Sequence, residues 1–207
     1  MAKKEWGWEK GGRHILMVAF HFPPDTGSTG VLRTLKFIRY LPESGGRTTV
    51  ICPEPSAYWA RDEAGLDQIP SSTRVIRTPF LDIKRHLGIR GRYPGFLAVP
   101  DRWVGWLPWA LAAGRRVIKE DPPDLIYSTF PVGTAHLIGW RLARASGIPW
   151  VADFRDPWRE DPPEPGTHPL AAAAARRLEH RVVAEASKVL TTTRSHAAQL
   201  AERYPAQ

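Results

Sequence analysis

Six short, uninterrupted apolar or β-rich runs, separated by stretches of helical period, constrain this chain more than any other feature. The first is His14-Ile15-Leu16-Met17-Val18-Ala19-Phe20, ended by Pro23-Pro24. A run of this length without polar alternation reads as a strand buried on both faces, as in a parallel sheet. After a glycine-bearing loop, Val31, Leu35, Ile38 and Leu41 recur at helical spacing until Pro42 and Gly45-Gly46 break the pattern. Thr48-Thr49-Val50-Ile51-Cys52, ended by Pro53, is the second strand. Strand, loop, helix, turn and strand make a βαβ unit.

The rhythm continues along the 207 residues. Residues 1–12 read as a loose leader and 13–207 as one domain. Residues 54–73 are irregular, and Arg74-Val75-Ile76-Arg77-Thr78 is a third strand. Residues 80–102 have no period and are read as a long excursion. A helix is predicted from Leu107 to Ile118, with Pro108 near its start, where proline is tolerated. Asp124 to Thr129 is a strand, and Thr134 is placed to cap the helix carrying Ala135, Ile138, Leu142 and Ala145. Gly147 ends that helix. Trp150 to Phe154 is the fifth strand. A helix over about Pro169–Ala186, with the stripe Ala171, Ala174, Ala175, Leu178 and Val182, leads to a sixth strand, Lys188 to Thr192, and Ser195 starts a last helix. The fold class expected is α/β: a Rossmann-like, mainly parallel sheet with helices on both faces.

Composition narrows the setting. Hydrophobic residues make up 43% and charged residues 24%, which suits a globular core rather than a disordered chain. The single cysteine, Cys52, excludes an internal disulfide, and no Cys/His spacing fits zinc, so no metal and no cofactor is expected. The net charge of +8 suits an anionic partner, but Lys and Arg are spread along the chain rather than blocked as in nucleic-acid binders, and no nucleic acid is expected. The densest basic patch is Lys84, Arg85, His86, Arg90 and Arg92, followed by Trp103, Trp106 and Trp109. Aromatics beside cations suit a membrane interface or a sugar platform; the competing reading of the tryptophans is a core face packing on the sheet. There is no signal peptide and no membrane-length apolar run, so a cytoplasmic protein is expected, with peripheral contact at the inner membrane face as an extension.

Ligands of open parallel sheets bind beyond the carboxyl ends of the strands. That rule selects four loops. In the first, Gly27, Ser28, Thr29 and Gly30 precede a helix N-terminus, which suits a diphosphate or a sugar hydroxyl. It is neither a P-loop nor a GxGxxG fingerprint, and a plain tight turn is the competing reading. Arg33 sits in the first helical turn, where a cation opposes the dipole, and so points to an anion nearby or to a surface arginine. Ser128 and Thr134 flank the fourth-strand loop. The sharpest stretch is Asp153-Phe154-Arg155-Asp156-Pro157-Trp158: Asp153 should be buried and needs a partner, for which Arg155 or a hydrogen-bond network within the sheet edge is the candidate.

Together these residues resemble the N-terminal domain of GT-B-fold, family 4-like glycosyltransferases. The resemblance rests on His21-Phe22-Pro23-Pro24 with Gly27, Gly30 and Arg33, on Asp124 to Ser128 with Pro131, Thr134, Ala135 and His136, on Gly147 to Trp158, and on Lys188 to Thr193. It covers about residues 13–204. It implies the acceptor-side half of a two-domain enzyme that moves a sugar from a nucleotide-sugar donor to an acceptor hydroxyl, in polysaccharide or glycolipid synthesis. It further implies that Gly27, Ser28, Thr29, Gly30, Arg33, Ser128, Thr134 and Asp153 meet the donor diphosphate or the acceptor. Where many relatives carry a histidine after the fifth strand, this chain has Arg155, so Arg155 and Asp156 stand as the catalytic candidates. The second, donor-binding domain is expected to be missing, which would leave the chain inactive alone or completed by a separate chain. A non-enzymatic binding module or pairing subunit is the alternative. A nicotinamide oxidoreductase using Glu54 for ribose is the third reading.

Overall fold

The computed structural model describes residues 12–88, 93–158 and 169–205. The leader, apart from Gly12, lies outside them, as do Arg90, Arg92 and most of the acidic loop after Trp158. Six strands form one sheet: β1 (His14–Ala19), β2 (Arg47–Pro53), β3 (Arg74–Thr78), β4 (Leu125–Thr129), β5 (Trp150–Phe154) and β6 (Lys188–Thr191). Their order is β3-β2-β1-β4-β5-β6, and every neighbouring pair is parallel. The direction of winding reverses between β1 and β4, which makes their carboxyl ends the topological switch point of the sheet.

Among the described residues five α-helices cover this sheet unequally: α1 (Gly30–Tyr40), α2 (Leu107–Glu120), α3 (Gly133–Ser146), α4 (Pro169–Glu185) and α5 (Arg194–Arg203). Helices α2 to α5 all lie on one face. There Trp106, Ala110, Val117, Ile138, Leu142 and Val182 pack on Leu16, Val18, Ile126, Ala152 and Phe154. On the other face Val31, Leu35 and Ile38 of α1 bury Ile15, Met17, Val50 and Tyr127. Burial is complete at the middle of β1, where Leu16 and Val18 are 0% exposed. Cys52 is buried on the α1 face, and burial pushes its thiol up to about 12, so it is packing rather than chemistry.

The excursion over 80–102 carries a π-helical turn at Ile83–Leu87 and a 3₁₀ turn at Gly95–Ala98. Two local expectations change. The three tryptophans divide. Trp106 is fully buried and donates from Nε1 to Thr78 Oγ1 at 2.7 Å, Trp103 is half-buried against Phe20, and Trp109 is exposed. Thr134 does not cap α3. The helix begins at Gly133, and its cap comes from Asp101, whose carboxylate accepts from both the Thr134 amide and the Thr134 hydroxyl at 2.8 Å.

Close packing of α3 on β4 and β5 depends on Gly139. A Cβ there would stand 2.7 Å from Trp150 Nε1 and 3.0 Å from Ser128 Cβ and Oγ. Gly139→Ala is therefore expected to lower stability by about 1–3 kcal/mol through overpacking, against the gain of roughly 1 kcal/mol that alanine brings to an open helix. Urea unfolding of the two proteins decides the sign.

Candidate functional site at the carboxyl edge

The loops that follow β1, β4, β5 and β6 meet at the carboxyl edge. After β1 the chain turns through a cis Pro23-Pro24 bond and is fixed at Asp25, which is buried. Asp25 Oδ1 accepts from the Gly27 amide at 2.8 Å, while Oδ2 lies 2.6 Å from His21 Nδ1. A Cβ on Gly27 would stand 2.7 Å from Trp59 Nε1, so a side chain there displaces the exposed Trp59 ring. Ser28 Oγ accepts from the Gly30 amide at 3.1 Å, and Thr29 precedes the first helical residue without a side-chain cap bond.

Arg155, just past β5, lies over this turn. Its NH1 is 3.4 Å from Thr29 Oγ1 and would be 2.7 Å from a Cβ on Gly30. Asp156 clamps the same guanidinium from Nε at 2.9 Å and NH2 at 2.6 Å, and Thr192, just past β6, donates to the Arg155 carbonyl at 2.8 Å. A guanidinium and the positive end of α1 thus face the same notch, a combination suited to an anionic oxygen. Gly27, Ser28, Thr29, Gly30, Arg155 and Asp156 are the predicted residues that the fold brings together.

Arg33 and Asp153 form a separate unit below the notch. Asp153 is not paired with Arg155. Its fully buried carboxylate takes two bonds from Arg33, each 2.7 Å, and further bonds from Tyr127 Oη at 2.5 Å and Thr129 Oγ1 at 3.1 Å. The cation that opposes the α1 dipole is held by this carboxylate. Burial and the adjacent carboxylate push the Tyr127 phenol well above its usual range, so it stays a donor.

Ser128 and Thr134 do not reach the notch, since both are 0% exposed. Ser128 Oγ accepts from Trp150 Nε1 at 2.8 Å and lies 2.7 Å from His136 Nδ1, inside the core beneath α3. His136 stacks between Phe130 and Phe154, and burial drives its pKa down to about 3. Two residues outside the predicted set belong to the edge: His21, with its buried partner Asp25. Their spacing of four across a proline turn is visible in the sequence, although nothing there says that they touch. Among the described residues no three His, Cys, Asp or Glu side chains gather as a metal site would need, and no helix is long and apolar enough to cross a membrane.

A six-stranded parallel sheet whose winding reverses between β1 and β4, with a glycine turn and a strand-end arginine at that edge, is a Rossmann-like domain. The chain belongs to the glycosyl transferase 4-like domain family, whose model matches residues 29–207. Among solved structures it is similar to sucrose-phosphate synthase from Thermosynechococcus elongatus, with a TM-score of 0.63 and 14% identity over 92% of this chain and 45% of that one. It is also similar to UDP-GlcNAc 2-epimerase from Methanocaldococcus jannaschii, with a TM-score of 0.53 and 13% identity over 92% of this chain and 42% of that one. A third similar structure is Arabidopsis thaliana UGT89C1 complexed with UDP, with a TM-score of 0.52 and 14% identity over 92% of this chain and 47% of that one. The chain spans less than half the length of each. No curated protein sequence matches it.

Two outcomes test this geometry. Arg33→Met leaves Asp153 buried without its cation and is expected to cost about 3 kcal/mol in urea unfolding, whereas a solvated arginine would cost close to nothing. His136 is kept neutral in the fold, with a pKa near 3 against an ordinary 6.5. Its contribution is therefore present above pH 6.5 and is lost as pH falls from 6.5 toward 3, because only the unfolded chain takes up the proton. His136→Phe is expected to flatten the fall in stability over that window, read from urea midpoints at each pH.

Proposed function

We propose that this domain is the acceptor-side half of a glycosyltransferase that moves a sugar from a nucleotide-sugar donor to an acceptor hydroxyl in polysaccharide or glycolipid synthesis. The observation that carries the reading is the family match over 29–207 together with the Arg155 guanidinium seated on the first residue of α1. As the sugar leaves its diphosphate, negative charge grows on the leaving oxygen. A fixed guanidinium and a helix N-terminus stabilise that charge without reorganising. Asp156 orients Arg155 for this task. Gly30 makes room for the Arg155 guanidinium over the start of α1, and Gly27, Ser28 and Thr29 shape the turn. Arg33 and Asp153 serve by fixing α1 against β5. The opposite wall of the cleft, and the grip on the nucleoside, come from a second domain or a separate chain, and turnover belongs to that complete assembly.

The acceptor in this reading is lipid-linked and met at a membrane surface. Phe96, in the segment after β3 that also carries Lys84 and Arg85, is 76% exposed, and Trp109, in the first turn of α2, is 39% exposed.

A titration of UDP into the chain, followed by amide nuclear magnetic resonance, is expected to shift signals at 27–30 and 155–156. Arg155→Met is expected to weaken binding about tenfold or more, since a charged hydrogen bond is lost. Shifts confined to other regions, or none, would remove the donor side of the reading. Co-sedimentation is expected to favour vesicles of phosphatidylcholine with phosphatidylglycerol over phosphatidylcholine alone. Equal recovery with both would remove the membrane part.

A further inference from the structure

Trp59 is 88% exposed, more than any other large hydrophobic side chain among the described residues, and it stands at the candidate site. We propose that its indole is the platform on which a neutral pyranose ring of the acceptor stacks. This inference rests on the glycosyltransferase reading for the reaction and adds that the acceptor hydroxyl belongs to a sugar ring.

The residue is exposed, yet the chain that carries it is held. Its neighbour Tyr58 is buried, and the Tyr58 hydroxyl donates to the Phe20 carbonyl, just past β1, at 2.8 Å. On the other side the chain is laced to the turn after β1. The Thr26 amide donates to the Ala60 carbonyl at 3.1 Å, the Asp62 amide donates to the Pro24 carbonyl at 2.9 Å, and Asp25 and Arg61 form an antiparallel bridge. The backbone at Trp59 is therefore part of the carboxyl edge. The ring lies across Gly27, whose Cβ position is 2.7 Å from Nε1, 2.9 Å from Cε2 and 3.2 Å from Cζ2. A missing side chain thus lets the indole rest on the turn. Trp59 Nε1 has no hydrogen-bond partner among the described residues and keeps its donor for a ligand.

An indole left in water forgoes the burial that a tryptophan normally gains. Its surroundings indicate what covers it. The chain as a whole carries +8, yet residues 54–68 hold Glu54, Asp62, Glu63 and Asp67 against one cation, Arg61, all of them exposed. An acidic neighbourhood repels an anionic lipid surface or a nucleic acid. It suits a neutral ligand rich in hydroxyls, because carboxylates accept hydrogen bonds from them. A pyranose has such a rim, and the C–H groups of its apolar face match the negative face of the indole.

The platform is also in the right place. Trp59 at Gly27 and Arg155 at Gly30 mark the two ends of one turn. The Cα atoms of the two glycines are at most about 10 Å apart, the span of three residues. A ring stacked on the indole therefore stands beside the notch proposed to receive the donor diphosphate.

The test uses the full chain with the neutral methyl pyranosides of glucose, mannose and galactose, observed by saturation-transfer nuclear magnetic resonance. At least one is expected to receive saturation, strongest at the C–H protons of one ring face. Trp59→Ala is expected to weaken that binding about five- to tenfold, and Trp59→Tyr to restore part of it. Recovery on phosphatidylglycerol vesicles is expected to be the same for the wild type and Trp59→Ala. No saturation of any of the three pyranosides, binding unchanged in Trp59→Ala, or loss of vesicle recovery in that variant each overturns the proposal, and the last makes Trp59 a lipid anchor instead. The UDP titration separates this platform from the reaction. Pyranoside saturation without UDP shifts at 27–30 and 155–156 removes the glycosyltransferase reading and leaves a carbohydrate-binding platform. UDP shifts without pyranoside saturation remove the platform and leave that reading standing.

Discussion

The Asp153 carboxylate organises this domain. It sits at the end of β5 with no access to water, where an unpaired charge would cost several kcal/mol. Arg33 from α1, Tyr127 from β4 and Thr129 from the same strand converge on it. One group therefore ties α1 to strands β4 and β5. It also sets the height of α1, and with it the distance between Gly30 and the arginine two residues beyond Asp153. The notch proposed to receive an anion exists because this buried pair is complete.

What could be read from the sequence follows the range of the interactions. The strands were legible because continuous apolar runs such as Leu16 to Ala19 report burial on both faces without reference to any partner. Helices α1 and α2 were legible for a similar reason, through apolar periodicity. The polar partners were not. Asp153 was rightly expected to need a counter-charge, but the nearest arginine in sequence, Arg155, turned to Asp156, and the true partner lies 120 positions away. Thr134 has the chemistry of a cap, yet Asp101 supplies a carboxylate from 33 residues earlier. Ser128 follows a strand pattern that points it inward beneath α3, and the tryptophan that binds it lies 22 residues on. His21 and Asp25 are a different case. Their partnership is local, but only the proline turn, folded, brings the ring onto the carboxylate.

The two faces of the sheet divide the work. The face carrying α2 to α5 is the larger core, and its aromatic interior around His136 excludes polar ligands. The α1 face is thinner and ends in the turn where Arg155 meets Thr29 and Gly30. A similar fold occurs in a synthase and in an epimerase, so the sheet does not choose the reaction; the side chains on its carboxyl edge do.

Asp101 gives the long excursion between β3 and α2 a second meaning. A helix start is normally closed by its own neighbours, and fraying there is a local event. Here the first turn of α3 is closed by a residue of the excursion, which is itself held at Asp82 by Arg102 and at Ile83 by the Arg102 carbonyl. Loosening the excursion uncaps α3, and loosening α3 strands the Asp101 carboxylate. The two segments are remote in sequence but form one cooperative opening unit, whose amide protons should exchange at a common rate set by a shared free energy rather than by the exposure of either part.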